Sequence, residues 1–429
     1  MTYKESIEFL FSRLPVYQRI GKAAYKENLD NTIAFDNYFG HPHLKYKTVH
    51  IGGTNGKGSV SHMLASILQE AGYRTGLYTS PHLKDFRERI RINGTMIPEE
   101  AVTGFIEEHH KKIGRIMPSF FELTVVMAFD FFRRAGVDIA VIEVGLGGRL
   151  DSTNIITPVL SAITNIGHDH MDLLGDTIEK IAIEKAGIIK EHIPVVIGET
   201  QAELKDIFLT VAAEKHSGIS FADFNSHCSF DNMEISGEMR PFTIIDHVNN
   251  KRISGLSPLY GDYQEKNLVT LYEIFSGLRK NLNLSEVNFL DGIRNVIKNT
   301  GLKGRFQILG RKPMTICDTG HNPEGIEQVI MQITNIKSRT LHIILGFVND
   351  KDLSVILPLF PRNAVYYFTK AGIARALDEK ILLKQAAQLG LRGNDYKSVS
   401  EAYAAAKREA AEPDLIFIGG STFIVAEVI

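Results

Sequence analysis

A glycine-rich segment, TVHIGGTNGKGSVSHML at residues 48–64, carries residue types that bind phosphate groups. Its glycines permit a tight turn whose backbone N–H groups can face phosphate oxygens, and the helix that follows adds the positive end of its dipole. Lys57 could reach the terminal phosphates of a nucleotide, and Ser59 could bind a metal ion. The segment predicts nucleotide binding by the following residues: Gly53, Thr54, Asn55, Gly56, Lys57, Gly58 and Ser59.

The segment differs from the standard phosphate-binding loop, in which Ser or Thr directly follows Gly-Lys. Here Gly58 stands between Lys57 and Ser59. The alternative interpretation is a glycine-rich turn that precedes a helix and happens to contain a lysine. The spacing leaves open which nucleotide chemistry the segment serves.

Glu143 is a candidate metal ligand because it ends the apolar strand pattern AVIE at residues 140–143. A carboxylate at this end of a strand can hold Mg²⁺ in phosphoryl-transfer sites, and open α/β sheets bind ligands at this edge. Taken alone the residue is weak evidence, since many strands end in a carboxylate. Together with the glycine-rich segment, it predicts a site for a nucleotide and Mg²⁺.

The segment GHDH at residues 167–170 brings His168, Asp169 and His170 together after another predicted strand. Mg²⁺ prefers oxygen ligands, so histidine is unexpected at a Mg²⁺ site and would be more natural for zinc. A polar loop with solvated histidines is the alternative. Lys185 lies in the amphipathic helical pattern of residues 177–190 and would ordinarily be solvated. Its spacing alone predicts no chemistry.

Alternating strand and helix patterns must position these residues. Strands are predicted at about 46–51, 74–79, 138–144 and 159–165, and helices at 57–71, 119–135 and 176–187. This alternation predicts a large N-terminal α/β domain of the P-loop type, with a doubly wound, mostly parallel sheet. Turn-rich residues 218–260 indicate a small antiparallel insertion within it.

A second α/β domain is predicted after NTGLKG at residues 299–304, where two glycines interrupt the periodic patterns. Further strands are predicted at 314–317, 340–346, 363–369 and 414–419. They again alternate with helical patterns, which predicts a smaller Rossmann-like domain. We therefore expect domains at 1–298 and 304–429.

The composition excludes several classes of protein. The 429 residues carry a formal net charge of -2 and 44% hydrophobic side chains, which is typical of a globular protein and gives no strong attraction for nucleic acid. No apolar run is long enough to span a membrane, and the amphipathic N-terminus does not resemble a signal peptide. Cys228 and Cys317 lie far apart in the chain. They predict neither a disulfide framework nor a metal site, so we expect a cytoplasmic protein.

The motifs, taken together, resemble those of folylpolyglutamate synthases and bacterial dihydrofolate synthases in the ATP-dependent Mur ligase superfamily. They cover nearly the whole chain, in the order GGTNGKGS, YTSPHL, ERIRING, FFELT, IEVGLGGRLDSTN, TNIGHDHMDLLGDT, IAIEKAGI and DTGHNPEG. The resemblance implies an N-terminal domain that binds ATP and two Mg²⁺ ions, and a C-terminal glutamate ligase domain. It also implies a monomer with pterin or folate, L-glutamate and ATP as substrates, and no nucleic acid or membrane partner.

The resemblance assigns roles to residues of the first domain that match the family's motifs. Ser59, Ser80, Glu143 and His170 would hold Mg²⁺. Lys185 would become carbamylated, which turns an ammonium into a carboxylate-like group able to support an ion.

The resemblance also assigns roles to residues after the insertion. Asn267 would contact adenine and Arg305 would contact a phosphate, while Asp318 and His321 would orient nucleotide and glutamate. Asn267 and Arg305 could otherwise be surface residues. We expect the catalytic residues to be Lys57, Lys185, Asp318 and His321.

Three departures from the family pattern concern the adenine pocket and the hinge. The chain has Tyr263 before Gln264 where the family more often has His, Lys303 where it more often has Pro, and Leu268 where it more often has Ala. The phosphate and metal motifs are intact.

The expected activity is ATP-dependent addition of L-glutamate to dihydropteroate or to the γ-glutamyl tail of a folate, through an acyl phosphate. Two alternatives remain. A Mur-type cell-wall amino-acid ligase usually has a sizeable domain before its phosphate loop, whereas here about 50 residues precede it. A nucleotide-dependent switch without ligase activity would have no use for DTGHNP at residues 318–323. The sequence does not distinguish the two acceptors.

Overall fold

The computed structural model describes residues 1–15, 28–231 and 237–429. Two compact units divide the chain: Met1–Pro258 with Gln264–Gly301, and Leu259–Tyr263 with Leu302–Ile429. The chain therefore contributes a short segment to the second unit before the helix that begins at Gln264.

The first unit contains, within the described residues, an eight-stranded sheet. Its strands are β1 (Lys47–Gly52), β2 (Thr75–Tyr78), β3 (Ile90–Ile92), β4 (Thr95–Met96), β5 (Ile139–Glu143), β6 (Leu160–Ile163), β7 (Val195–Ile197) and β8 (Ile219–Phe221). The order across the sheet is β4-β3-β2-β5-β1-β6-β7-β8, and only the pairings of β3 with β2 and with β4 are antiparallel. The connections between strands therefore lead to both sides of β1. Doubly wound sheets bind ligands in the loops beside the point where the strand order changes direction in this way.

Helices connect these strands. Their bounds are Tyr3–Arg13, Asp30–Tyr38, Lys57–Glu70, Glu99–Ile116, Phe120–Ala135, Met171–Leu174, Ile178–Ala186, Lys205–Glu214, Ala222–Asn225, Gln264–Leu278, Glu286–Arg294 and Val296–Thr300. All five residues of β5 are buried, as expected for a parallel strand that helices cover on both faces. Local signals define the helix ends: Ser119 caps the N-terminus of Phe120–Ala135, and Gly136 ends it with a φ of 63°.

The antiparallel insertion is a three-stranded sheet of β9 (Ser226–Phe230), β10 (Arg240–Asp246) and β11 (Lys251–Ser257). It is shorter than the predicted range 218–260. Residues Ile219–Phe221 instead form β8, which pairs in parallel with β7 at the edge of the main sheet. The prediction of where the insertion begins was wrong because a three-residue edge strand is too short to show a period.

The second unit contains a six-stranded sheet within the described residues. Its strands are β12 (Gln307–Arg311), β13 (Met314–Cys317), β14 (Leu341–Leu345), β15 (Val365–Phe368), β16 (Arg392–Asp395) and β17 (Leu415–Gly419), in the order β12-β13-β17-β14-β15-β16. Only the pairing of β12 with β13 is antiparallel. The helices are Pro323–Asn335, Leu353–Ile356, Glu379–Gln388, Val399–Glu409 and Thr422–Ala426.

Both predicted α/β architectures are confirmed, including the smaller Rossmann-like sheet of the second unit. Among the described residues, no helix is both long enough and apolar enough to cross a membrane.

Candidate functional site

The glycine-rich segment forms the loop between β1 and the helix Lys57–Glu70. Gly53 and Gly56 have φ values of 131° and 87°, which L side chains rarely adopt. A Cβ atom on Gly53 would lie 1.9 Å from the Thr164 hydroxyl, and one on Gly56 would lie 2.1 Å from the Asn267 side-chain oxygen. Both positions therefore require glycine.

Residues that follow β6 hold this loop in place. The Thr54 N–H donates to the Asn165 carbonyl at 2.9 Å, and the Asn55 N–H donates to the Asn165 side-chain oxygen at 2.9 Å. The Thr164 hydroxyl donates to the Asn55 carbonyl at 2.6 Å. We gave Thr164 and Asn165 no role from the sequence, although their position at the start of TNIGHDH was an available signal.

Two lysine amines donate hydrogen bonds to the backbone of this loop. Lys57 Nζ donates to the carbonyl oxygens of Gly53 and Thr54 at 3.0 and 2.9 Å, and Lys185 Nζ donates to the Gly53 carbonyl at 2.8 Å. Lys185 is only 5% exposed. Burial and, secondarily, the Lys57 charge lower the pKa of Lys185 to about 7. The structure thus places Lys185 in the phosphate loop and contradicts the interpretation of a solvated helix lysine.

The loop after β5 holds the end of the helix that carries Lys185. The Arg149 N–H donates to the Glu184 carbonyl at 2.7 Å, and the Asn154 amide donates to the Gly187 carbonyl at 3.0 Å. The sequence motif GLGGRLDSTN contains both donors, but spacing alone could not show which element they contact.

Gly58 and Ser59 lie in the first turn of the helix Lys57–Glu70, and Ser59 is buried. Gln264 donates from its side-chain amide to the Ser59 hydroxyl at 3.2 Å, and Asn267 donates to the Gln264 side-chain oxygen at 2.8 Å. Asn267 is therefore buried against the phosphate loop rather than on a helix surface.

Glu143 ends β5 and is 4% exposed. The pairing of β5 with β1 sets Glu143 opposite Ile51, two residues before Gly53. The Ser80 backbone N–H donates to the Glu143 carboxylate at 3.0 Å. The structure therefore brings together Ser80 and Glu143, two of the predicted metal ligands.

His170 directly precedes the short helix Met171–Leu174, with a φ of 54°. Its N–H donates to the Asp169 carboxylate at 3.0 Å, and its Nε2 atom lies 3.7 Å from the other Asp169 oxygen. Across residues 1–15, 28–231 and 237–429, no group of three or more His, Cys, Asp or Glu side chains could hold a metal ion. A divalent cation here would need further oxygen ligands, which substrate phosphates commonly supply to Mg²⁺.

Asp318 lies at the carboxyl end of β13 in the second unit. Its carboxylate accepts hydrogen bonds from the Tyr263 hydroxyl at 2.6 Å and from the N–H groups of Phe306 and Gly320 at 2.7 Å each. Burial raises the pKa of Asp318, and these hydrogen bonds oppose that rise.

Arg305 and His321 both contact Thr319, the residue that follows Asp318. Arg305 donates to the Thr319 hydroxyl, and His321 Nδ1 lies 3.0 Å from the Thr319 carbonyl. The second unit therefore brings together the predicted residues Arg305, Asp318 and His321, whereas Lys57 and Lys185 belong to the first unit.

A buried arginine is a candidate that sequence reasoning missed. Arg89 is buried in the segment Phe86–Arg89, donates from Nε to His82 at 2.7 Å, and lies 5.1 Å from the ring centre of Phe120. Within the part of the chain that the structure describes, Arg89 forms no ion pair. A buried guanidinium of this kind suits an anionic ligand. The motif ERIRING contained the signal, but nothing in it separated Arg89 from Arg91.

The first unit therefore combines backbone donors at a tight turn, two lysine amines and a buried carboxylate at one edge of the sheet. Such groups stabilise charge on a transferring phosphoryl group. The carboxylate site of the second unit would suit the orientation of a polar substrate.

Family comparisons agree with both units. Residues 51–271 match the Mur ligase middle domain, and residues 304–422 match the Mur ligase glutamate ligase domain. The folylpolyglutamate synthase of Lacticaseibacillus casei is 33% identical over 88% of each chain. A probable bifunctional folylpolyglutamate synthase/dihydropteroate synthase of Haloferax volcanii is 30% identical over the whole chain, which spans 50% of that relative's length.

Solved structures extend the similarity to three dimensions. FolC of Escherichia coli, in complex with DHPP and ADP, has a TM-score of 0.84 and 28% identity, covering 100% of this chain and 97% of that one. A bifunctional folylpolyglutamate synthase/dihydrofolate synthase with Mn, AMPPNP and L-glutamate bound has a TM-score of 0.80 and 27% identity over 94% of both chains. With two matched Mur ligase domains and these relatives, the chain belongs to the folylpolyglutamate synthase/dihydrofolate synthase family of ATP-dependent Mur ligases.

Proposed function

We propose that this protein uses ATP to join L-glutamate to dihydropteroate, to the γ-glutamyl tail of a reduced folate, or to both. The product would be an amide, with ADP and phosphate released. The observation that carries the proposal is the pair of lysine amines on the Gly53 carbonyl, inside a loop that has the family's sequence.

Activation of the acceptor is the first step of the proposed reaction, because a carboxylate is a poor electrophile. Its oxygen attacks the γ-phosphorus of ATP, the bond to the β-phosphate oxygen breaks, and an acyl phosphate and ADP result. Lys57 and the N–H groups of the loop would bind the phosphates and stabilise the charge of the transferring group.

Metal ions would be held by Ser59, Ser80, Glu143, His170 and a carbamylated Lys185. Glu143 fits this role because its carboxylate is buried at the sheet edge and is oriented by the Ser80 N–H. When bound, Mg²⁺ would neutralise phosphate charge. The proposed site would hold two ions, one of them supported by the carbamate on Lys185.

Carbamylation of Lys185 requires a neutral amine that can attack CO₂. A pKa of about 7 leaves much of this amine unprotonated at neutral pH, whereas an ordinary lysine is almost fully charged. The neutral amine attacks the carbon of CO₂, so that an N–C bond forms, one C=O π bond opens to give a carboxylate, and the nitrogen releases one proton. Counted from the ammonium form, two protons are released, and an anion would replace a cation beside Lys57.

The second step would be attack of the glutamate amine on the acyl carbon, with loss of phosphate from a tetrahedral intermediate. Asp318 and His321 would orient the glutamate and the nucleotide, Arg305 would contact a phosphate, and Asn267 would lie near the adenine. The buried guanidinium of Arg89 beside the Phe120 ring supports an acceptor that is both aromatic and acidic.

Product analysis tests this proposal. The purified protein is incubated with MgATP, L-glutamate and either dihydropteroate or tetrahydrofolate, and the products are identified by mass spectrometry. We expect dihydrofolate in the first reaction, longer glutamate tails in the second, or both. Nucleotide binding without product in either reaction would reject the proposal in favour of a Mur-type cell-wall ligase or a nucleotide-dependent switch.

A further inference from the structure

Tyr263 is the last residue of the segment Leu259–Tyr263, which belongs to the second unit although it precedes residues of the first unit in the chain. Its hydroxyl donates to Asp318 Oδ2 at 2.6 Å. The same oxygen accepts the Phe306 N–H at 2.7 Å, and the other carboxylate oxygen accepts the Gly320 N–H at 2.7 Å. Tyr263 therefore supplies the side-chain donor among three described donors to this carboxylate.

A buried carboxylate keeps its charge and its orientation only when hydrogen bonds replace the lost water. Asp318 is 3% exposed, so its three donors fix its orientation and, together with the Arg305 charge, favour its ionised form. Of the two backbone donors, Gly320 lies in the same loop as Asp318, and Phe306 directly precedes β12, the strand that pairs with β13. The Tyr263 hydroxyl comes from a distant part of the chain and so fixes the carboxylate from a second direction.

We propose that Tyr263 is a positioning residue of the ligase reaction, because it holds the Asp318 carboxylate in the orientation that substrates require. This inference rests on the proposed function, in which Asp318 orients substrate. Tyr263 touches no reacting atom itself and acts through Asp318.

The titratable and charged groups around Asp318 determine how the loss of the Tyr263 hydroxyl would change the pKa of Asp318. They are Tyr263 and Arg305, which lower the pKa of the carboxyl, and Cys317, the preceding residue on β13. Removal of the Tyr263 hydroxyl therefore raises the pKa of Asp318 above its already raised value. Protonation of Asp318 would then begin at higher pH.

The test is steady-state kinetics of Tyr263→Phe across a pH series. We expect a loss of about tenfold in kcat/KM for L-glutamate, the size typical when a charged acceptor loses one hydrogen bond. We also expect the acid limb of the pH profile to move to higher pH. Tyr263→His keeps a ring N–H donor and should recover part of the loss. A purely structural role would not move the acid limb.

Tyr366→Phe is the matched control, because Tyr366 is a buried tyrosine of the same unit whose hydroxyl donates to the Pro361 carbonyl at 2.6 Å. It should leave the pH profile unchanged. An unchanged profile in Tyr263→Phe, or an equal shift in Tyr366→Phe, would overturn the inference. Should Tyr263→Phe fail to fold by circular dichroism, Tyr263→Leu, which also lacks the hydroxyl donor, is compared with the wild type in the same way, and a wild-type profile there overturns the inference. Absence of product from the wild-type protein would reject the proposed function, and with it this inference.

Discussion

Lys57 and Lys185 direct their amines at one backbone oxygen, the carbonyl of Gly53, at 3.0 and 2.8 Å. Two ammonium groups on one acceptor repel each other, and the buried amine responds by losing its proton more readily. The pKa of Lys185 is accordingly lowered to about 7, by burial first and by Lys57 second. A lowered pKa of this kind would favour the proposed reaction of Lys185 with CO₂.

Lys185→Ala should abolish ligase activity, because the proposed carbamate would be lost with the side chain. Short carboxylic acids added to the assay should restore part of the activity, since they can place a carboxylate in the space that the substitution leaves. Product formation with and without acetate or propionate is the measurement. Full activity of the unrescued variant would contradict the role of Lys185.

Lys180→Ala is the control for this experiment. Lys180 belongs to the same helix, but it is exposed and pairs with Asp176 at 2.7 Å. Its loss should change activity less than twofold, and added carboxylic acids should have no effect. Rescue of both variants would indicate a general effect of the acids rather than a replaced carbamate.

The sequence predicted the strands and helices near the site because their periods are long and regular. The helix predicted at 57–71 is observed at Lys57–Glu70, and the strand predicted at 314–317 is β13. The ends of parallel strands meet at one edge of a sheet, so Glu143 could be assigned to the site before any contact was known.

Contacts between distant segments could not be predicted in this way. The amphipathic pattern of its helix predicted a solvated Lys185. That pattern does not show that the loop after β5 packs against the C-terminal end of the helix. Tyr263 entered the sequence reasoning only as a departure from the family pattern, and its bond to Asp318 spans 55 residues. Periodicity identifies the face of an element, whereas the partner of that face is set by tertiary packing.

Glu143→Gln should remove most ligase activity, because the amide retains the shape of the side chain but lacks the charge that attracts a divalent cation. We expect a loss of at least about 100-fold in kcat, equivalent to about 2.7 kcal/mol. Steady-state kinetics at saturating MgATP is the measurement. Circular dichroism should show an unchanged fold, since the Ser80 N–H can still donate to the amide oxygen.

Asp138→Asn provides the comparison for Glu143→Gln. Asp138 directly precedes the same strand at its opposite end, and its carboxylate likewise accepts a backbone N–H, from Arg74 at 2.7 Å. Near-normal turnover is expected, because this end of the sheet lies away from the phosphate loop. Equal losses in the two variants would show that strand stability, not metal binding, accounts for the effect of Glu143→Gln.

Gly56→Ala should weaken nucleotide binding more than its backbone strain explains. The φ of 87° costs an L residue about 1–2 kcal/mol, and the new Cβ would lie 2.1 Å from the Asn267 side-chain oxygen. Gly72→Ala has nearly the same strain, with a φ of 86°, but no atom lies within 4 Å of its Cβ. Calorimetric titration with ADP should therefore show weaker binding in Gly56→Ala and wild-type binding in Gly72→Ala. Similar affinity in both variants would contradict the role of this close approach.

His50 should make the stability of the first unit sensitive to acid. It is fully buried in β1, with Nε2 at 2.8 Å from the Thr153 hydroxyl, and burial lowers its pKa to about 3. The unfolded chain binds a proton near pH 6.5 and the folded chain does not. The stability that the neutral imidazole contributes is therefore complete above pH 6.5 and is lost progressively as the pH falls toward 3.

His50→Asn removes this proton linkage, so its stability should depend less on pH than that of the wild type. The difference in free energy of unfolding between wild type and variant should shrink by about 2 kcal/mol between pH 7.5 and pH 5, as urea unfolding can measure. His216→Asn is the control, since His216 is exposed, and its difference from the wild type should stay constant. A constant difference for His50→Asn as well would mean that His50 is protonated in the folded protein at pH 5, and that the buried neutral imidazole is not the source of the acid sensitivity.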